Sequence, residues 1–198
     1  MKTRKSSFFI EKNVSMKNIF IVVLFSLVFV SCGMDINDDD DGVFTITSAS
    51  YSSDGIIPEK YSCDGANISP HYRWSSAPTS TDSFVLILDD ESTPGCSTGT
   101  SACRHWALYN IPSNINSIKE DFDPNTISGV AIGDNYKNKA IYAGPCPPTT
   151  DQHIYKTTIY ALDTTTTIAS GTAHTRASFE AAFSSNILSK ATYQGRYK

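Results

Sequence analysis

Apolar residues along this chain gather in short runs bounded by turn-forming residues, and few segments carry a helical period. Phe44-Thr45-Ile46-Thr47-Ser48 alternates large and small side chains, as a half-buried strand does. Ser83-Phe84-Val85-Leu86-Ile87-Leu88 is continuously apolar and predicts a central strand covered on both faces, ending at Asp89-Asp90-Glu91. His105-Trp106-Ala107-Leu108-Tyr109-Asn110-Ile111 predicts another strand, closed by Pro112. Residues 113–140 are polar and predict a long surface excursion. Gly144-Pro145-Cys146-Pro147-Pro148 excludes both helix and sheet ladder. Residues 155–162 are rich in β-formers. One helix is predicted, over residues 176–191, where Phe179, Phe183, Ile187 and Ala191 recur every four positions behind a Thr175 cap. Residues 193–197 then form a last short strand. Many short strands and one helix point to a mainly β fold, a two-layer sandwich.

Composition supports a folded chain. Of 198 residues, 40% are hydrophobic, 11% aromatic and 18% charged, which excludes a disordered tail-like protein. The net charge of −4 hides an asymmetry. Five of the 16 basic residues precede residue 33, leaving 11 basic and 19 acidic residues beyond it, a net of −8. No basic stripe exists, so nucleic acid is not an expected partner.

The front of the chain reads as an address. Residues 19–30 are apolar except Ser26 and follow Lys17. The run is too short to span a bilayer and suits a signal-peptide core. It ends in Ser31-Cys32-Gly33, which resembles the lipobox of bacterial lipoproteins. That resemblance implies removal of residues 1–31, a lipid on Cys32, and a lipid-anchored place in the bacterial cell envelope, at the outer membrane. Met16 is the more typical start for such a signal. Residues 32–43, with the acidic run from Asp38 to Asp41, predict an extended tether, and residues 44–198 the folded domain.

Four cysteines remain: Cys63, Cys96, Cys103 and Cys146. An even number in an exported domain predicts two disulfides, with three pairings open. Cys96 and Cys103 flank a loop of Ser, Thr and Gly. Pairing them leaves Cys63 with Cys146, a bridge worth about 4.5 kcal/mol by chain entropy. The absence of any Cys-x-x-Cys pair argues against zinc.

Three strand ends carry candidate chemistry. Asp90 closes one apolar strand, His105 opens the next, and His153 precedes a third behind the proline-rich loop. If these strands are neighbours, a carboxylate and two imidazoles meet at one mouth. Imidazoles can donate to phosphate oxygens, fully so when protonated. Asp90 would orient a histidine or receive an ammonium group.

The ordered series of motifs resembles the phosphatidylethanolamine-binding proteins, in particular their bacterial and archaeal Raf-kinase-inhibitor-like branch. It consists of Ile57-Pro58, Cys63-Asp64-Gly65-Ala66-Asn67-Ile68-Ser69-Pro70, Trp74, Ala77-Pro78, His105-Trp106, Asn110-Ile111-Pro112, residues 142–148, His153-Ile154-Tyr155 and Tyr160-Ala161-Leu162-Asp163. The resemblance implies a two-sheet antiparallel β-sandwich with a C-terminal helix and a small pre-formed cavity for anions such as phosphate, acetate or phosphorylated head groups. It places Asp90, His105, His153 and Tyr155 in that cavity, with Cys146 and Pro147 in its wall. Glu91 and Ser92 stand where the family has proline and a second aspartate, and Ile154 where it commonly has arginine.

Three function classes follow. The first is a non-enzymatic, membrane-tethered binder of a phosphate-like anion or phospholipid head group. The second is an exported regulator or inhibitor of a protease or kinase, with a protein partner. The third, a hydrolase, lacks a Gly-x-Ser-x-Gly elbow. No cofactor and no metal are expected, although two histidines and a carboxylate formally match a metal triad.

Overall fold

The computed structural model describes residues 42–92 and 102–198. Cys32, the signal and most of the tether, and Cys96 lie outside the described residues.

Two antiparallel sheets are stacked. The smaller holds β1 (Thr45–Thr47), β2 (Tyr72–Ser75) and β5 (Ser117–Ile118), in the order β1-β2-β5. The larger holds β3 (Ser83–Asp90), β4 (Cys103–Pro112), β6 (Ala131–Ile132), β7 (His153–Leu162) and β8 (Ile187–Tyr197), in the order β6-β4-β3-β7-β8. The family-level expectation of a mainly β, two-sheet sandwich is therefore met. β3 is central, and all eight of its residues are buried. Alternation splits it between two cores. Phe84, Leu86 and Leu88 pack with Ile46, Trp74 and Trp106 between the sheets. Val85 and Ile87 pack with Tyr160 and Phe179 beneath α1 (Arg176–Phe183).

Helix α1 starts where the sequence places it. Thr175 Oγ1 accepts from Ser178 N, and Ser178 Oγ accepts from Thr175 N at 2.9 Å, a reciprocal cap. It stops eight residues earlier than expected, at Phe183. Residues 184–186 are Ser, Ser and Asn, whose side chains compete for backbone groups. Asn186 instead bonds Asp163, and Ile187 begins β8. The final strand is thus eleven residues long rather than five. The excursion over residues 113–140 is also more ordered than expected. It contributes β5, with Ile118 buried, a 3-10 turn at Pro124–Thr126, and β6.

Candidate functional site

Three adjacent strands, β4, β3 and β7, bring Asp90, His105, His153 and Tyr155 to one end of the large sheet. Asp90 pairs across the ladder with Tyr155, so the two share a face. His153 is the first residue of β7 rather than preceding it, and two positions from Tyr155 it points to the same side.

His105 reaches that face by a slip in register. Leu88 pairs with Trp106, but Asp89 pairs with Arg104, so one extra residue, His105, has no partner on β3. Such a bulge inverts the alternation beyond it. His105 and Trp106, though consecutive, both turn toward the core between the sheets: Trp106 packs there, and the His105 ring meets Tyr155 edge-on at 5.1 Å.

Tyr155 sits between the two imidazoles, its ring 6.3 Å from that of His153 in a stacked arrangement. Asp90 Oδ2 accepts from His153 Nδ1 at 2.6 Å, and Asp90 Oδ1 accepts from Ser92 N at 2.7 Å. Ser92 Oγ accepts from Ile154 N at 2.8 Å, tying the strap after β3 to the strand that carries His153. His105 Nδ1 lies 2.7 Å from the carbonyl of Ala143, whose N–H donates back to the His105 carbonyl at 3.0 Å. A carbonyl can only accept, so Nδ1 carries the proton. Burial lowers the His105 pKa, against the opposing pull of the Ala143 carbonyl and the Asp90 charge. The ring is therefore a neutral Nδ1–H tautomer. This corrects the picture of two donor imidazoles: the donor nitrogen of His105 is already used by the wall.

The Tyr155 hydroxyl is fully buried and has no hydrogen-bond partner among the described residues. Burial, then the nearby Asp90 charge, raises its pKa well above the ordinary phenol value, so it remains a donor. The Cys146 backbone acts on it in the opposite sense without reaching hydrogen-bond geometry.

The wall is cross-braced. Cys63 and Cys146 form a disulfide with Cα atoms 5.4 Å apart. Cys63 N donates to Pro145 O at 3.0 Å, Gly144 N to Asn67 Oδ1 at 2.8 Å, and Tyr142 OH to Tyr61 O at 2.7 Å. Residue 144 must be glycine, because a Cβ there would strike the Tyr61 carbonyl oxygen. Cys103 is also disulfide-bonded, and Cys96, its expected partner, lies outside the described residues.

Sequence reasoning missed the support on the opposite face. Asp89, buried, accepts from Arg176 Nε at 2.6 Å and from Arg176 N at 2.8 Å. The same guanidinium bonds Glu91, which also pairs with Lys156 at 2.9 Å. Asp89 and Glu91, on either side of Asp90, are thus clamped together. Glu91 is held by charges on both sides. Arg176 lies 87 positions from Asp89, and no local pattern links them.

Among the described residues, no cluster of His, Cys, Asp or Glu is arranged to hold a metal ion. Hollows lie away from the group around Tyr155. One, of about 390 Å³, is formed within residues 114–127. Another, of about 520 Å³, lies beside Asn110, whose amide is already bonded to Ile168 and Thr166.

The chain is similar to known proteins over most of its length. A UPF0098 protein of Aquifex aeolicus is 35% identical over 158 residues, covering 79% of this chain and 89% of that protein. A UPF0098 protein of Methanothermobacter thermautotrophicus is 32% identical, covering 75% and 94%. Among solved structures, the phosphatidylethanolamine-binding protein homologue CT736 of Chlamydia trachomatis superposes with a TM-score of 0.69 at 30% identity, covering 79% of this chain and 97% of that one. E. coli YbcL, described as a member of the mammalian PEBP family, gives 0.68 at 26% identity, covering 78% and 98%. The phosphatidylethanolamine-binding protein profile matches residues 47–198, and with it the chain belongs to that family.

Proposed function

We propose that this protein is a non-enzymatic binder of small phosphate-like anions or phosphorylated head groups, of the Raf-kinase-inhibitor-like branch, held at the bacterial outer membrane by a lipid on Cys32. One observation carries the binding reading. A fully buried phenol, Tyr155, holds a hydroxyl without a hydrogen-bond partner among the described residues, between two histidines and against a proline-rich wall. A buried polar group left unpaired is unfavourable by about 1–3 kcal/mol, so its retention favours a ligand that completes it. Cys146, the sulfur nearest this group in the chain, is oxidised, which favours binding over nucleophilic catalysis.

Tyr155→Phe separates the two roles of the ring. It removes the hydroxyl and keeps the packing. The variant should be at least as stable as wild type while binding phosphate monoesters about tenfold more weakly. Thermal unfolding and titration calorimetry read the two effects. A variant that loses stability and keeps its affinity would contradict the proposal. The anchor is tested by mass spectrometry of the membrane fraction. Peptides upstream of Cys32 should be absent and Cys32 should carry acyl chains; an unmodified Cys32 refutes the anchor.

A further inference from the structure

We infer that the site selects phosphate monoesters in their singly protonated form and rejects both the dianion and the phosphodiester of an intact phospholipid. The inference rests on the anion-binding reading and concerns what His105 demands of the ligand.

The Ala143 carbonyl fixes the proton of His105 on Nδ1, 2.7 Å away. A neutral imidazole has one ring proton, so Nε2 presents a lone pair. The one side-chain hydrogen bond of His105 among the described residues is the Nδ1 bond to Ala143 O, and the Gly144 carbonyl also acts on the ring. Nε2 could donate only if the ring became an imidazolium. The titratable groups around it are the Asp90 carboxylate, His153, and the Tyr155 and Tyr136 phenols, whose rings lie 5.1 and 5.2 Å away. The Ala143 carbonyl, the Asp90 carboxylate and the Gly144 carbonyl favour the charge, and both Asp90 oxygens are committed, to His153 and to Ser92 N. His153 opposes it, and burial opposes it more.

The site therefore pairs one strong acceptor, His105 Nε2, with one strong donor, the Tyr155 hydroxyl. A phosphate dianion brings only acceptors and sets its oxygen against the His105 lone pair. A diester is singly charged but has no P–OH. A monoester carrying one proton has both: its P–OH donates to Nε2, and its other oxygens accept from Tyr155. Satisfying rather than opposing the acceptor at Nε2 corresponds to roughly tenfold in affinity.

Calorimetry on the full chain between pH 5 and 8 tests this with four probes: methyl phosphate, a fluorinated alkyl phosphate with a lower second pKa, dimethyl phosphate and methyl sulfate. Affinity for methyl phosphate should fall through its own second ionisation, near about pH 6. For the fluorinated ester the fall should move to lower pH by the difference between the two ligands' pKa values. Dimethyl phosphate and methyl sulfate, each singly charged without a proton, should bind at least about tenfold more weakly than methyl phosphate at pH 5. A fall at the same pH for both monoesters places the titration on the protein and overturns the inference. Equal affinity for methyl sulfate and methyl phosphate also overturns it. Failure of all four probes at every pH overturns the anion reading itself, and this inference with it.

Discussion

Replacing Cys63 and Cys146 together by serine should destabilise the protein without dismantling the site. The bridge spans 83 positions, and closing a loop of that length removes unfolded-state entropy worth about 4.5 kcal/mol at 25 °C. The native state does not depend on the bond alone. Three hydrogen bonds join the same two loops: Cys63 N to Pro145 O, Gly144 N to Asn67 Oδ1, and Tyr142 OH to Tyr61 O. At about 1 kcal/mol each, they keep the wall in register once the sulfur link is gone. The loss should therefore appear in unfolding, at about 3–4.5 kcal/mol, while affinity for methyl phosphate falls only severalfold. Urea unfolding followed by the fluorescence of the buried Trp74 and Trp106 measures the first quantity. With a slope of about 2 kcal/mol per molar, the midpoint should drop by about 1.5–2 M. A loss below about 1 kcal/mol at unchanged slope would refute the entropic argument. Complete loss of binding in a folded variant would refute the claim that the hydrogen bonds hold the wall.

Arg176→Gln should destabilise by about 3–5 kcal/mol, because Asp89 is left buried without its counter-charge. Adding Asp89→Asn to that variant should recover part of the loss in the same unfolding assay, whereas simple additivity would show that the pair is not coupled. The His105 pKa is lowered by burial, so the unfolded chain binds more protons than the folded one below about pH 6.5. Stability is then fully present above that pH and declines as pH falls toward the depressed folded value. The urea midpoint should decrease between pH 7.5 and 5.5, and His105→Gln should flatten that slope. His174, lowered by burial too, leaves a residual slope of the same sign.

The layers of this fold were legible where one physical pattern admitted one structure. Residues 84–88 are apolar on both alternating sets, and only a strand covered on both faces accommodates that. Phe179, Phe183, Ile187 and Ala191 show the opposite case. A spacing of four satisfies a helix, with 3.6 residues per turn, and also a strand, whose faces repeat every two. The ambiguity is resolved by what lies between. Ser184, Ser185 and Asn186 break the helix, and beyond them Ile187, Ser189, Ala191, Tyr193, Gly195 and Tyr197 alternate toward the interior. At the site, the identities of Asp90, His105, His153 and Tyr155 were readable from their motifs. The tautomer of His105 was not, because it depends on a carbonyl 38 positions away. The Arg176 clamp was hidden for the same reason.

The extra residue in β4 sets stability against function at one position. A bulge forgoes ladder hydrogen bonding that a regular strand would make. Deleting one residue between Cys103 and Trp106 would remove the slip beside Asp89, leaving the one between Phe84 and Leu86, and would turn whatever stands at position 105 toward the helix side. The shortened protein would gain ladder pairing there and lose the imidazole beside Tyr155. On the binding reading proposed above, idealising the strand would strengthen the scaffold at the expense of binding.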